Sequence, residues 1–558
     1  MTPLRAFVLA VLVVTSLSAM PLVAADAGTG TSPSEPESVD RLESTAVPSV
    51  LADTDTETDV DADDEPTTTE TVGYVEGYWY NDSLPVDDRD DAVLEDDELE
   101  AVVYRSMARV EVVRELTFEE TVPVDVISRE EFEADVDGMT DDTNESDRLY
   151  QNLRYEALFM VDRGTDAVDE EETLYSGSVA GYYDTGDDQI VIVSDNPETP
   201  ELDEITLGHE LLHALQDQHF DLDEYDGATV DQNSAELGLI EGDAVWVDTE
   251  YENRCEEEWD CVVPADEQGE LPDINWGMYL TFFQPYSDGP AYVDHLRENG
   301  GWDAVNEAYE EPPASSSEII RPGETREPVE IDHEDRSSDR WERLERDAAP
   351  DHISVGEVGL ASMIAAPTLD DRPAIVDHGE VINVGAVGVD ETNPYNYDHE
   401  YTDGWAGDKL VPYATDDETV DESGYVWHTE WTTERDAEQF REGYLELLAI
   451  TGAESVDGHQ STVTIDDGFP GAYYLEHDGE TVTIVRAPSV DELSELYEGA
   501  APDGENTLEL GTGVDDTTDA TDDAADDETP GFGGSLALGA VALALLAVAF
   551  ATRRTYSR

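Results

Sequence analysis

Lysine is almost missing from this sequence. Lys409 is the only one in 558 residues, and basic residues together number 26 against 138 acidic ones, a formal charge of −112. A chain so short of positive groups has nothing with which to neutralise phosphates, which excludes nucleic acid as a partner. The acid is spread along the whole length and is not gathered in a tail. Such a surface keeps a protein hydrated and unaggregated in concentrated salt, where screening weakens self-repulsion. Cysteine is nearly as rare, with Cys255 and Cys261 alone. Two thiols without nearby His or Cys partners do not make a thiolate metal site. Length is not lacking: 558 residues suffice for two or three domains with proper cores.

The two ends carry addresses. Residues 1–27 read as a secretory signal peptide, with Arg5 as the positive start and an apolar run over 6–14 too short to span a bilayer. Val23-Ala24-Ala25 or Ala25-Asp26-Ala27 supplies a small-residue cleavage site. The mature chain is therefore expected outside the cell. There Cys255 and Cys261 read as one small disulfide, and the sequons at Asn81 and Asn144 are usable for N-glycosylation. Residues 28–71 lack any apolar period and read as a disordered acidic linker. Residues 501–529 read as an acidic stalk. Beyond it, in 530–558, come Pro530-Gly531-Phe532, an uncharged run over 533–551 long enough to form a transmembrane helix, and Arg553, Arg554 and Arg558, which would stay cytoplasmic.

Between the ends the pattern is α+β, in a body over 72–350 and a smaller one over 351–500. Apolar residues at 99, 102, 103, 107, 110 and 113 predict an amphipathic helix over 98–116. A strand over 122–127, a helix over 150–161 and a hairpin over 178–194 follow; the hairpin reads either as a cleft edge faced by Tyr182 or Tyr183 or as an ordinary core hairpin. Arg105, Arg109 and Arg114 read as ion pairs with local carboxylates. Polar residues 323–350 read as the connection to the second body. That body shows an apolar helix over 355–366, strands over 425–431, 461–465, 471–477 and 481–486, and helices over 434–448 and 490–497. Its histidines lack ligand-like spacing, so no chemistry is assigned to it.

The chemistry sits in residues 206–221, Thr-Leu-Gly-His-Glu-Leu-Leu-His-Ala-Leu-Gln-Asp-Gln-His-Phe-Asp. Residues four apart share one helix face, so His209 and His213 of this H-E-x-x-H can reach one metal ion, zinc by ligand type. Glu210 stands beside them as a general base. Leu207, Leu211, Leu212 and Leu215 predict a buried helix, in which an unpaired Glu is costly and a metal supplies its reason.

Three residues compete as third ligand. His219 completes the spacing of the metzincins, but Gln216 stands where that family has a turn-forming Gly. Glu236 and Glu241 lie on a second predicted helix, over 233–248, whose Gly242 and Ala244 would let it pack closely on the first. A Glu from a second helix is the gluzincin arrangement, and Glu241 is favoured. Asp217 and Asp243 are candidates to fix an imidazole tautomer. Tyr286 and His295 are candidate transition-state donors, although each reads first as a structural turn or core residue.

The order of Pro-Gly-Phe, apolar helix and basic end resembles the PGF-type sorting signal of haloarchaeal surface proteins, which an archaeosortase cuts and replaces with a lipid. More broadly, the chain is similar to a family of haloarchaeal cell-surface proteins carrying a gluzincin-like metallopeptidase domain. Its relatives pair the metal helix with a Glu-Gly-Asp-Ala segment, here 241–244, and a Gly-Trp-x-Gly-Asp block, here 404–408. The resemblance spans most of 72–500. It implies a zincin-like fold, zinc on His209, His213 and Glu241, and Glu210 as base. Two functions follow as expectations: a membrane-anchored zinc endopeptidase acting on peptide or protein substrates, or a non-catalytic surface or adhesion protein with a structural or vestigial metal site.

Overall fold

The computed structural model describes residues 66–510, apart from 90–91, 142, 177–178, 265–273, 345–349, 351, 371, 386–388, 391 and 417. The expected leader, most of the acidic linker and stalk, and the sorting signal with its spanning helix lie outside the described residues. Among the described residues no helix is long and apolar enough to cross a membrane. The fold is mixed α+β.

The first half opens with a small hairpin, β1 (Tyr74–Val75) and β2 (Tyr78–Trp79), against α1 (Asp96–Arg114). Glu98 starts α1 by accepting a hydrogen bond from the Glu95 N–H, and its apolar stripe buries Val102, Val103, Met107, Val110 and Val113. Next come β3 (Val124–Ser128), α2 (Arg129–Asp141), α3 (Glu145–Ala157), α4 (Ala167–Ser176), β4 (Gly181–Asp184) and β5 (Gln189–Ser194). The strands form one sheet in the order β3-β5-β4, with β5 parallel to β3 and antiparallel to β4. Helices α5 (Glu204–Phe220), α6 (Val230–Glu257), α7 (Trp276–Gly300), α8 (Trp302–Glu310) and α9 (Ser316–Ile320) complete this half.

Two sequence expectations are corrected here. Tyr286 lies in no turn: α7 continues through Pro285 and Pro290. Each proline removes one helical N–H, and tertiary packing outweighs that loss. Gly289 of α7 meets Gly242 of α6 so closely that a methyl group on Gly242 would lie 2.4 Å from the Gly289 carbonyl. Gly242 therefore serves contact with α7; Ala244 packs with the leucines of α5.

The second half contains β6 (Glu342–Arg343), α10 (Gly356–Leu369), α11 (His378–Val381), β7 (Trp405–Ala414), β8 (Ser423–Trp431), α12 (Glu434–Ile450), β9 (Glu454–Ser455), β10 (Thr462–Ile465), β11 (Gly471–Asp478), β12 (Thr481–Ala487) and α13 (Val490–Leu496). Its strands form an antiparallel seven-stranded sheet in the order β6-β7-β8-β12-β11-β10-β9. Register places Leu410, Trp427, Ile484 and Leu475 in one row across four strands, with Val411, Val426, Val485 and Tyr474 in the next. Side chains alternate faces with period two, so the first row enters the main core and the second a smaller one under α13.

The main core does not stop at residue 350. Leu149, Leu153 and Phe159 from the first half share it with Met278 of α7, Leu360 of α10, and Trp427, Tyr444 and Ile484 of the second. Polar bonds cross the same line: Glu156 pairs with Arg486 at 3.0 Å, and Arg321 with Glu357 at 2.6 Å. The connecting segment lies on the sheet, where Val329 N–H donates to the Ala406 carbonyl and Lys409 to the Ile331 carbonyl.

Candidate metal centre

Helix α5 begins where the Asp203 carboxylate accepts from the Ile205 and Thr206 N–H groups, and ends at Asp221 in the left-handed region (φ 54°). Leu207, Leu211, Leu212 and Leu215 are buried as their spacing predicts. Gly208 allows close approach to α6, since a Cβ there would stand 3.2 Å from the Tyr251 ring. Helix α6 starts at Thr229, whose side chain accepts from the Gln232 N–H, and runs past the predicted end at 248 to Glu257.

Where the two helices face each other, His209, His213 and Glu241 converge, with ligand atoms all within 4.8 Å of one another. His209 Nε2 stands 3.3 Å from Glu241 Oε2, and His213 Nε2 stands 3.4 Å from the same oxygen. All three residues are buried, and they could hold a metal ion. Both Nε2 atoms, both Glu241 oxygens and both Glu210 oxygens are buried without a hydrogen-bond partner. Unsatisfied buried polar atoms are costly, and those of His209, His213 and Glu241 are close enough together for one metal ion to answer them.

The outward nitrogens are occupied. His209 Nδ1 lies 2.9 Å from Asp248 Oδ2, a carboxylate that can only accept, so Nδ1 carries the proton. His213 Nδ1 lies 2.8 Å from Gln216 Oε1. The Gln216 amide nitrogen donates to the Ile240 carbonyl (2.9 Å) and to Tyr309 Oη (2.8 Å), which fixes the amide with its oxygen toward His213. Each Nε2 is thereby the ring nitrogen turned toward Glu241. Burial works to lower the His209 pKa, but Asp248 and Glu241 outweigh it and push it up to about 10. Burial works to raise Glu241, and the two imidazoles hold it down to about 2. Burial also pushes Glu210 up to about 7, against the pull of His209 and His213.

Other sequence candidates fall elsewhere. His219 Nε2 meets the Thr117 carbonyl at 2.9 Å, and Glu236 accepts from Gln232 at 2.9 Å. Asp217 accepts from the Tyr183 hydroxyl and the Leu222 N–H, so it holds the β4 edge and no imidazole. Asp243 reaches His213 only through Tyr309 and Gln216. Tyr286 stacks on Phe283, and His295 lies against Asn299. Tyr182 packs on Phe132 and Tyr183 is buried, so neither ring opens onto a cleft. Cys255 and Cys261 form a disulfide near the end of α6. Asn81 and Asn144 are both exposed, and Asn144 caps α3 by accepting from the Asp147 N–H.

The arginines are ion-paired, mostly at long range. Arg105 binds Asp87 at 2.7 Å, Arg105 and Arg109 share buried Glu204, nearly a hundred residues on, and Arg114 binds Asp243. Two residues at the site escaped sequence reasoning. Asp248 lies seven residues beyond Glu241, two turns along the same face of α6, which is a readable signal. Gln216 stands one turn after His213, at the position considered only for lacking a glycine.

A family model described as a domain of unknown function (DUF8575) matches residues 342–497, from β6 through α13. The match lies outside α5 and α6, which carry His209, His213 and Glu241. No curated protein and no solved structure matches the chain.

Proposed function

We propose that this chain is a zinc metallopeptidase, zincin-like in its first half, which hydrolyses peptide bonds with Glu210 as general base. The observation that carries the reading is Glu210 itself. A metal held only for structure needs three or four ligands, and here a further buried carboxylate stands beside them with both oxygens unpartnered. The donor set of two imidazoles and one carboxylate suits zinc. Two donor atoms each about 2.05 Å from a zinc ion at the tetrahedral angle stand about 3.3 Å apart. The two histidine–glutamate separations, 3.3 and 3.4 Å, fit that value.

His209, His213 and Glu241 would hold the ion, which when bound acidifies water and polarises a carbonyl. Glu210 takes the proton of the attacking water and returns it to the leaving amine. Edge strand β4 supports an extended substrate. The Val193 N–H donates to the Ala180 carbonyl, so residues 180, 182 and 184 face β5 while Gly181 and Tyr183 turn their backbone groups outward. Gly181 also lies beside Glu210, where a Cβ would sit 4.0 Å from its Cγ. In this reading the protein is exported and tied to the membrane by its C-terminal signal.

One observation favours a second reading, a non-catalytic surface protein with a closed metal site: His213 and Glu241 are 0 % exposed and Glu210 1 %. Metal content and cleavage of unstructured protein, measured on the full chain in molar salt, separate the two. The first reading expects close to one equivalent of zinc in both wild type and Glu210→Gln, with activity about 10²–10⁴-fold lower in the variant. A zinc-loaded wild type that cleaves nothing across a broad peptide library leaves the second reading standing. Absence of bound metal from the wild type removes both.

A further inference from the structure

His213 is oriented by a neutral amide, and that amide does not hold itself in place. Gln216 can present either its oxygen or its nitrogen to His213, because the two ends of the side chain have nearly the same shape. Two acceptors decide the matter. The Ile240 carbonyl belongs to α6, and the second acceptor, Tyr309 Oη, comes from α8. The Tyr309 hydroxyl can accept from Gln216 because its own proton goes to Asp243 Oδ2 at 3.0 Å. Asp243 is held in place because Arg114 Nε donates to it at 3.0 Å, and Arg114 donates further to Asn306 of α8 at 2.7 Å.

Every member of this chain has one donor direction. Arg114 donates to Asp243, Tyr309 donates to Asp243, Gln216 donates to Tyr309, and His213 donates to Gln216. All five side chains are buried. Reversing any link would place two donors or two acceptors face to face, so the polarity set at Arg114 reaches His213.

We infer that Tyr309 is a positioning residue for the metal centre: through Gln216 it locks His213 in the tautomer that bears its proton on Nδ1 and offers Nε2 to the ion. The inference rests on the proposed metal reading and extends it to a helix that supplies no ligand. Tyr309→Phe keeps the ring, which stacks on Phe220 with centroids 4.0 Å apart, and removes only the hydroxyl. The Ile240 carbonyl alone then holds the Gln216 amide, and each amide that flips takes the acceptor of the imidazole away.

The test measures zinc affinity of the full chain by chelator competition in molar salt, and the His213 tautomer by ¹⁵N shifts in the metal-free protein. Tyr309→Phe should weaken zinc binding about 10- to 100-fold, the usual effect of losing a residue that orients a ligand. It should also give a mixed His213 tautomer while leaving thermal unfolding of the metal-free protein near the wild-type value. Gln216→Leu, which deletes the acceptor outright, should weaken binding at least as much. Phe220→Leu disturbs the same packing without touching the hydrogen bonds, and should keep wild-type affinity. Wild-type affinity and tautomer in Tyr309→Phe would overturn the inference, as would an equal loss in Phe220→Leu. A wild type that binds no zinc would overturn the metal reading instead.

Discussion

Asp231→Asn tests how the two halves are joined. Asp231 lies in the first turn of α6, 2 % exposed, and a single oxygen, Oδ1, accepts both the Ser316 N–H (3.0 Å) and the Ser316 hydroxyl (2.6 Å). Gly356, with φ of 70°, presses its backbone against that oxygen, where a Cβ would come within 2.2 Å. Burial pushes the carboxyl from its ordinary 3.8 up to about 7; the Ser316 donors oppose this, and Asp408 and Glu357 add to it. A carboxyl whose folded pKa is raised binds its proton more tightly when folded. Its contribution to stability is therefore complete below about pH 4 and is lost as pH rises to about 7. About three pH units at 1.36 kcal/mol each set the loss at about 4 kcal/mol. Asparagine keeps an oxygen for both Ser316 bonds and never ionises. The variant should match wild type near pH 4 and exceed it by up to about 4 kcal/mol at pH 8. Denaturant unfolding of both proteins in molar salt from pH 4 to 8 measures the difference directly. A difference that does not change with pH, or one that favours wild type as pH rises, refutes the reasoning.

Gly242→Ala gains about 1 kcal/mol of helix propensity but drives a methyl group into the Gly289 backbone, and overpacking of that kind costs about 1–3 kcal/mol. It should melt lower than wild type, and an equal or higher melting temperature would show that α6 and α7 can part freely. Glu241→Ala should lose the metal, whereas His219→Ala, whose ring faces the Thr117 carbonyl, should keep a full equivalent. Metal analysis showing the reverse would return His219 to the ligand set.

Legibility followed the range of the forces involved. The strand read at 481–486 is observed as Thr481–Ala487 and the helix at 434–448 as Glu434–Ile450, because alternation and amphipathic spacing are written locally. His209 and His213 were legible for the same reason, and Glu241 because a carboxylate beside small residues on a second helix has few other uses. What stayed hidden depended on neighbours distant in sequence. Nothing near Pro285 or Pro290 tells that Gly242 waits on another helix to hold α7 together. Nothing near Arg109 tells that Glu204 is its partner. The boundary placed at 350 follows a true change in composition, yet composition cannot reveal that Leu153 and Ile484 enter one core. Asp248 could have been found by continuing α6 two turns past Glu241.

That common core also sets a timetable. Synthesis proceeds from the N-terminus at about 5–20 residues per second, so Phe159 exists for roughly 15 to 65 s before Ile484 arrives to pack in the same core. During that interval the residues that α3 and α7 give to this core lack the strand residues that cover them, Trp427 and Ile484 among them. Local contacts can form, but the core cannot close until the last strands of the seven-stranded sheet are made. A nascent chain held open for so long invites association with its neighbours. Here the acid spread along the chain keeps unfinished copies hydrated while the slow step completes.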